Sequence, residues 1–289
     1  MWGYRAFGVV QPFRRRRIIA LSIVISMLAG GAVAAGALTA ATVPRHAGPV
    51  DDQAPLPSDE PTVTAAPART PVRAAPTGAP EPAPVPTFDR AARSLDDPAS
   101  LWTVVDKTRP LNPTDYAPAD LVEVPVAHVW RPLLRREAAD AVVSLFAAFE
   151  AETGLQLQSH SAYRSYATQV DLYDRDVATN GQSVADRSTA RPGTSEHQTG
   201  LAIDISALPG NCSLDTCFGD TVQGQWLAQN AWRFGFLLRY PADKVEITGY
   251  AYEPWHFRYI GNDLAAEMHT TGLATLEEFF ALPAAPGYN

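Results

Sequence analysis

Cysteine, lysine and any excess of positive charge are scarce in this sequence of 289 residues. The only cysteines are Cys212 and Cys217, which rules out a scaffold stapled by several disulfides. Their separation is too wide for a redox motif with two intervening residues. It fits a small structural disulfide loop in an oxidising compartment, contributing ~2 kcal/mol by loop entropy. The net charge is −8, from 23 Lys and Arg against 31 Asp and Glu. That balance argues against a nucleic-acid partner, whose phosphates call for a basic face. Only two of the cations are lysines, which reads as codon usage and carries no chemistry.

Proline is abundant instead, at 25 residues, and it is unevenly placed. Residues 1–50 hold six basic residues and no acid, residues 51–100 hold 11 prolines, and residues 101–289 hold 13 basic and 23 acidic residues. The length would allow two domains, but only the last ~190 residues have a composition able to bury a core. Residues 1–17 read as a cytoplasmic basic tail ending in Arg14-Arg15-Arg16-Arg17. The uncharged run Ile18–Val43 is long enough to cross a bilayer of ~30 Å as a transmembrane helix, with the basic side inside. A cleaved signal peptide is the alternative, because Ile18–Leu28 is short and Ala32-Val33-Ala34 resembles a cleavage site. Residues 44–100 read as a disordered Pro/Ala-rich linker with a reach of up to ~170 Å. On either reading the remainder, residues 101–289, is one exported domain, and its oligomeric state is left open.

Within that domain, Ala138, Val142, Leu145, Phe146 and Phe149 form a helical stripe, predicting a helix over Leu133–Thr153 that stops at Gly154. Leu155–Gln158 alternates as a strand. A second helix is expected from about Tyr166 to Asn180, then a polar loop to His197 and a strand Leu201–Ile205. Gln225–Phe234 reads as a helix. Phe236–Arg239, Val245–Ile247 and Trp255–Ile260 read as strands, and two short helices close the chain, the last capped by Thr275 with Glu278. Helices and strands do not alternate regularly and no internal repeat is visible, so the expected class is α+β around a central antiparallel sheet.

Of six histidines, His46 falls in the linker, and His128, His160 and His269 lack an acid at useful spacing. His197 and His256 differ. In Ser195-Glu196-His197-Gln198-Thr199-Gly200-Leu201-Ala202-Ile203-Asp204, strand alternation sets Asp204 on the face opposite Leu201, Ile203 and Ile205. A carboxylate there is costly unless it is paired or bound to a metal. In Glu253-Pro254-Trp255-His256-Phe257-Arg258-Tyr259, Pro254 kinks the entry to a strand and can return Glu253 to the His256 side. Two histidines and one aspartate make a catalytic type of zinc shell, with a fourth position open for water and a free carboxylate to take its proton. Ordinary polar pairs at strand ends are the alternative at this point.

These stretches, with Ser161-Ala162-Tyr163-Arg164-Ser165, Phe236-Leu237-Leu238-Arg239-Tyr240-Pro241 and Ile247-Thr248-Gly249-Tyr250, resemble the VanY-type D-alanyl-D-alanine carboxypeptidases. Five motifs recur in order, and the likeness runs from about Leu101 to Phe280. It implies a zinc peptidase acting on peptidoglycan stem peptides, with His197, Asp204 and His256 as metal ligands and Glu253 as general base. It implies Arg164 as the holder of the scissile carbonyl oxygen, and Gln169 and Ser195 as lining the substrate site. Tyr163 and Tyr252 are candidate walls, Trp255 is expected to pack, and the Cys212–Cys217 loop is a candidate for shaping the cleft. L,D-carboxypeptidase or endopeptidase specificity on the same site is the rival within the class. A non-catalytic wall-binding zinc module is the rival outside it, disfavoured because no third His or Cys stands ready to fill the fourth position.

Overall fold

The computed structural model describes residues 87–288. The basic tail, the membrane span or signal (18–43) and residues 44–86 of the linker lie outside the described residues. Among the described residues, no helix is long and apolar enough to cross a membrane. The folded part starts before the expected Leu101. Phe88, the one aromatic of the linker stretch, stacks on Trp102 with ring centroids 5.5 Å apart and meets Phe279 edge-on at 5.7 Å. Arg90 Nη1 donates to Phe279 O at 2.7 Å. A single aromatic is invisible in a proline-dominated composition, which is why composition places the boundary too late.

The elements run β1 (Leu121–Glu123), β2 (Leu133–Arg135), α1 (Arg136–Thr153), β3 (Gln156–Ser161), α2 (Tyr166–Asn180), α3 (Gln182–Ser188), β4 (Ala202–Leu208), α4 (Val222–Asn230), β5 (Phe236–Leu238), α5 (Val245–Thr248), β6 (His256–Tyr259), α6 (Asn262–Thr271) and α7 (Leu276–Phe279). A four-stranded sheet in the order β3-β4-β6-β5 is antiparallel throughout, and β1 with β2 forms a separate pair. The α+β class with antiparallel sheets is therefore observed.

Four local readings change. Leu133–Arg135 is extended and pairs with β1, so the helix begins at Arg136. Two leucines satisfy either period, and the strand partner decides. The polar loop after Gly181 contains α3. Val245–Thr248 is a helical turn ended by left-handed Gly249 (φ 78°), although Val and Ile suggest a strand. The expected helix Gln225–Phe234 is α4 followed by a 3-10 turn over Ala231–Phe234.

The core lies between the sheet and α1, where Val142, Leu145 and Phe149 are fully buried with Ile203, Ile205 and Phe257. Phe149 also meets Trp226 of α4 edge-on at 5.2 Å. Alternation then gives Asp204, His256 and Arg258 to the other face. The register sets Asp204 directly opposite His256 across β4 and β6. That single pairing brings together side chains from two distant motifs.

Candidate metal centre and active site

His197 sits in a short 3-10 turn, Glu196–Thr199, closed by Gly200 at φ 68°. A side chain at Gly200 would meet Leu121 Cδ2 at 2.8 Å in a left-handed backbone, so glycine is required there. The turn carries His197 over the end of β4, and its Nδ1 lies 2.7 Å from Ala162 O. A carbonyl only accepts, so Nδ1 carries the proton and Nε2 keeps a free lone pair. Nε2 is 3.3 Å from Asp204 Oδ2, and His256 Nδ1 is 3.3 Å from Asp204 Oδ1. One donor atom from each of His197, Asp204 and His256 lies within 4.8 Å of the others, and all three residues are buried.

Whether these residues fit a metal is decided by their remaining bonds. Asp204 Oδ1 is buried and makes no hydrogen bond within the protein, a costly state for a carboxylate oxygen. His256 Nε2 lies 3.2 Å from Glu196 Oε2. Each histidine thus has its outward nitrogen pinned by an oxygen and presents the other inward, the arrangement that orients metal-binding imidazoles. Two nitrogens and a carboxylate form a donor set suited to zinc, with room for a fourth ligand.

Electrostatics agree. Burial penalises the Asp204 carboxylate, but His197 and His256 outweigh it and hold the group well below the usual carboxylate range. Burial pushes His197 below the usual histidine range, against the pull of Asp204. Burial opposes protonation of His256, yet the neighbouring Asp204 and Glu196 carboxylates raise it to about 9. Glu253, 3.8 Å from His256 Nδ1, is pushed up to about 8, chiefly by burial and with Asp204 adding to the shift. A cation arriving here would favour the ionised Glu253 and the neutral His256.

Sequence reasoning missed what lies behind His256. Glu196 is fully buried, and its Oε1 accepts from Arg239 Nε and Arg258 Nη1, both at 2.9 Å. Arg239 is gripped in turn by both oxygens of Glu277 of α7, at 2.9 and 2.6 Å. Arg258 Nη2 donates to the carbonyls of Leu101 and Thr103. Two buried arginines thus face two buried glutamates, a pairing that offsets the cost of holding charge in a dry interior. The available signal was Arg258 within an aromatic strand, a charge that must find a buried partner.

A cavity of about 240 Å³ opens onto the centre. It is lined by Arg164, Ser195 and Glu253 together with the three candidate ligands. Arg164 follows β3, and its Nη1 donates to Gln169 Oε1 at 2.8 Å and its Nη2 to Ser161 Oγ at 3.3 Å. Ser165 caps α2 by accepting from Thr168 N, which fixes the first turn that carries Gln169. Gln169 is fully buried, and its Nε2 donates to Ala190 O at 2.7 Å. The structure thus places Gln169 behind Arg164, off the cavity surface, where it holds the guanidinium. The aromatic walls are Tyr240, Tyr250 and Trp255, in place of the anticipated Tyr163 and Tyr252. Cys212 and Cys217 are joined as a disulfide, and Leu214 of their loop lines the cavity.

The VanY model, described as D-alanyl-D-alanine carboxypeptidase, matches residues 131–262, which include Arg164, Gln169, Ser195, His197, Asp204, Glu253 and His256. The chain is 41% identical over 192 residues to YodJ of Bacillus subtilis (strain 168), covering 65% of this chain and 69% of that protein. The chain belongs to the VanY family. As a VanY-family member it is a hydrolase of the carboxypeptidase type. It is also 44% identical over 128 residues to a D-alanyl-D-alanine carboxypeptidase of Enterococcus faecalis (strain ATCC 700802 / V583), over 41% of this chain and 45% of the relative. Among solved structures, the LdcB LD-carboxypeptidase superposes with a TM-score of 0.59 at 41% identity, covering 64% of this chain and 87% of that one. A mutant of the D,D-pentapeptidase VanY from a VanB-type resistance cassette, solved in complex with Zn(II), gives 0.53 at 32% identity, covering 62% and 98%.

Proposed function

We propose that this VanY-family member is a zinc-dependent D-alanyl-D-alanine carboxypeptidase that removes the terminal D-alanine from peptidoglycan stem peptides. The observation that carries the reading is the convergence of His197, Asp204 and His256 on one point beside Glu253, in a cavity that Arg164 also lines. His197 Nε2, Asp204 and His256 Nδ1 hold the ion. Bound zinc supplies a Lewis acid and makes water a nucleophile near neutral pH. Glu253 accepts the proton of the attacking water and returns it to the leaving amine. Arg164, held by Gln169 and Ser161, donates to the carbonyl oxygen as charge develops on it, a task suited to a fixed guanidinium. Ser195 supplies a hydroxyl to the bound peptide. No nucleophilic side chain is needed, so hydrolysis passes through no acyl-enzyme.

The domain works outside the cytoplasm in this reading, carried by a membrane helix at residues 18–43 and a spacer that begins at residue 44. Arg14–Arg17 ahead of the uncharged run and the Cys212–Cys217 disulfide support it. With 13 basic against 23 acidic residues in 101–289, the domain gains no attraction to an anionic wall, and the tether supplies the proximity. Membrane fractionation of the full chain tests this. Recovery in the soluble culture fluid would favour a cleaved signal.

The likeness to LdcB favours a second reading, L,D specificity on the same residues. Product analysis on matched peptides ending in D-Ala-D-Ala and in an L,D bond separates the two. Release of D-alanine from the D,D peptide supports the first reading, and turnover confined to the L,D peptide replaces it with the second.

A further inference from the structure

Besides Leu172 of α2 and Leu214 of the disulfide loop, two further segments supply cavity wall. Ser188, Thr189, Ala190 and Ser195 belong to the stretch that begins at the end of α3, and Tyr250 follows α5. On its inner side the first stretch is held by Gln169 Nε2 on Ala190 O. On its outer side it is held by Tyr288. The tail that carries Tyr288 is itself docked, since Ala285 is fully buried and its N–H donates to Ile247 O at 2.7 Å.

The Tyr288 hydroxyl has one proton and two acceptor positions, and all three have partners. Arg191 N donates to it at 2.8 Å. Thr194 Oγ1 is 3.0 Å away and already donates its proton to Arg191 O at 2.8 Å, so Tyr288 donates to Thr194. The remaining acceptor position takes the proton of Tyr250 OH, 3.2 Å away. The Arg191 guanidinium covers the Tyr288 ring at 4.1 Å and is pinned by Asp186. Tyr250 leans on Tyr240 at 4.7 Å, and Tyr240 on His256 at 4.8 Å. One phenol oxygen therefore joins the Ser195 segment to the aromatic wall.

We propose that Tyr288 is a positioning residue for the substrate cavity, tying the Ser188–Ser195 wall to Tyr250 and setting the width at which a peptide is gripped. This rests on the cavity being the peptide site. It predicts a role in binding, with no part in proton transfer or metal retention.

The test uses the full chain with Tyr288→Phe, which keeps the ring and its cation contact, and Tyr288→Ala. Steady-state hydrolysis of a peptide ending in D-Ala-D-Ala is measured beside zinc affinity. Tyr288→Phe is expected to raise KM roughly three- to tenfold, with kcat within about twofold and zinc affinity unchanged, since a lost hydrogen-bonded knot of this kind is worth ~1 kcal/mol. Tyr288→Ala is expected to raise KM further. Unchanged KM in both variants overturns the proposal. So does a parallel loss of kcat and zinc affinity, which would mark a general structural role. Glu253→Gln is assayed alongside: hydrolysis that survives it would remove the proposed function yet leave the KM comparison readable.

Discussion

Glu196→Gln changes one oxygen into an amide nitrogen and removes one buried negative charge, and the consequences can be worked through atom by atom. Glu196 Oε1 accepts from two guanidinium groups at 2.9 Å, and Oε2 faces His256 Nε2 at 3.2 Å. A guanidinium only donates, so the glutamine carbonyl must stay against Arg239 and Arg258, and its NH2 must turn to His256. An NH2 cannot accept, so Nε2 must become the acceptor and the ring proton moves to Nδ1. That is the nitrogen that faces Asp204. The neutral ring is then held in the tautomer that keeps its proton on Nδ1, so zinc must displace that proton with no carboxylate left to hold the other one on Nε2. Zinc affinity is expected to fall about 10- to 100-fold, the usual range for losing such a supporting partner. The metal-free domain also leaves Arg258 with backbone carbonyls and no carboxylate, while Arg239 keeps Glu277, which should cost ~3–5 kcal/mol. That is a large part of a typical stability of ~5–15 kcal/mol. Isothermal titration with zinc and urea denaturation of the metal-free protein measure the two effects separately. A Glu196→Gln protein that binds zinc as tightly as wild type would refute the orientation argument.

Three further outcomes are expected. Because His256 holds its proton up to about 9 and Glu253 up to about 8, zinc must displace protons at neutral pH. Affinity should therefore rise with pH from about 6 to 8, by about tenfold per unit for each proton released. Calorimetry in two buffers of different ionisation enthalpy counts those protons, and a pH-independent affinity would contradict the assignment. Glu253→Gln should keep zinc but lower kcat by roughly 10²–10⁴, read by metal analysis beside a progress curve. Arg164→Lys should lower kcat by roughly 10²–10³ with zinc retained, because an ammonium cannot bond Gln169 and the substrate oxygen in the same fixed plane. Equal rates for the wild-type and Arg164→Lys proteins would remove the oxyanion role.

The chemistry is more legible in the sequence than its supports are. Asp204 and His256 can be read because each breaks the alternation of an apolar strand, and a period of two assigns faces without tertiary knowledge. Helix α2 is readable because Ser165 and Gly181 mark its ends locally. Glu196 is not, since its partners Arg239 and Arg258 lie 43 and 62 residues away and only the folded sheet brings them together. Leu133–Arg135 and Val245–Thr248 mislead for a related reason. Short apolar runs fit either period, and pairing with β1 or closure by Gly249 decides the outcome. Motif position assigns Gln169 to the substrate, but both ends of its amide are already bonded inside the protein. Tyr288 has no motif to announce it.

The most direct test of the account is D-alanine release from a defined pentapeptide ending in D-Ala-D-Ala, measured on the purified chain as isolated, after chelation and after zinc is restored. Metal-activated hydrolysis at His197, Asp204 and His256 predicts release that stops on chelation and returns with zinc. Release that continues at the same rate in fully metal-free protein would contradict it.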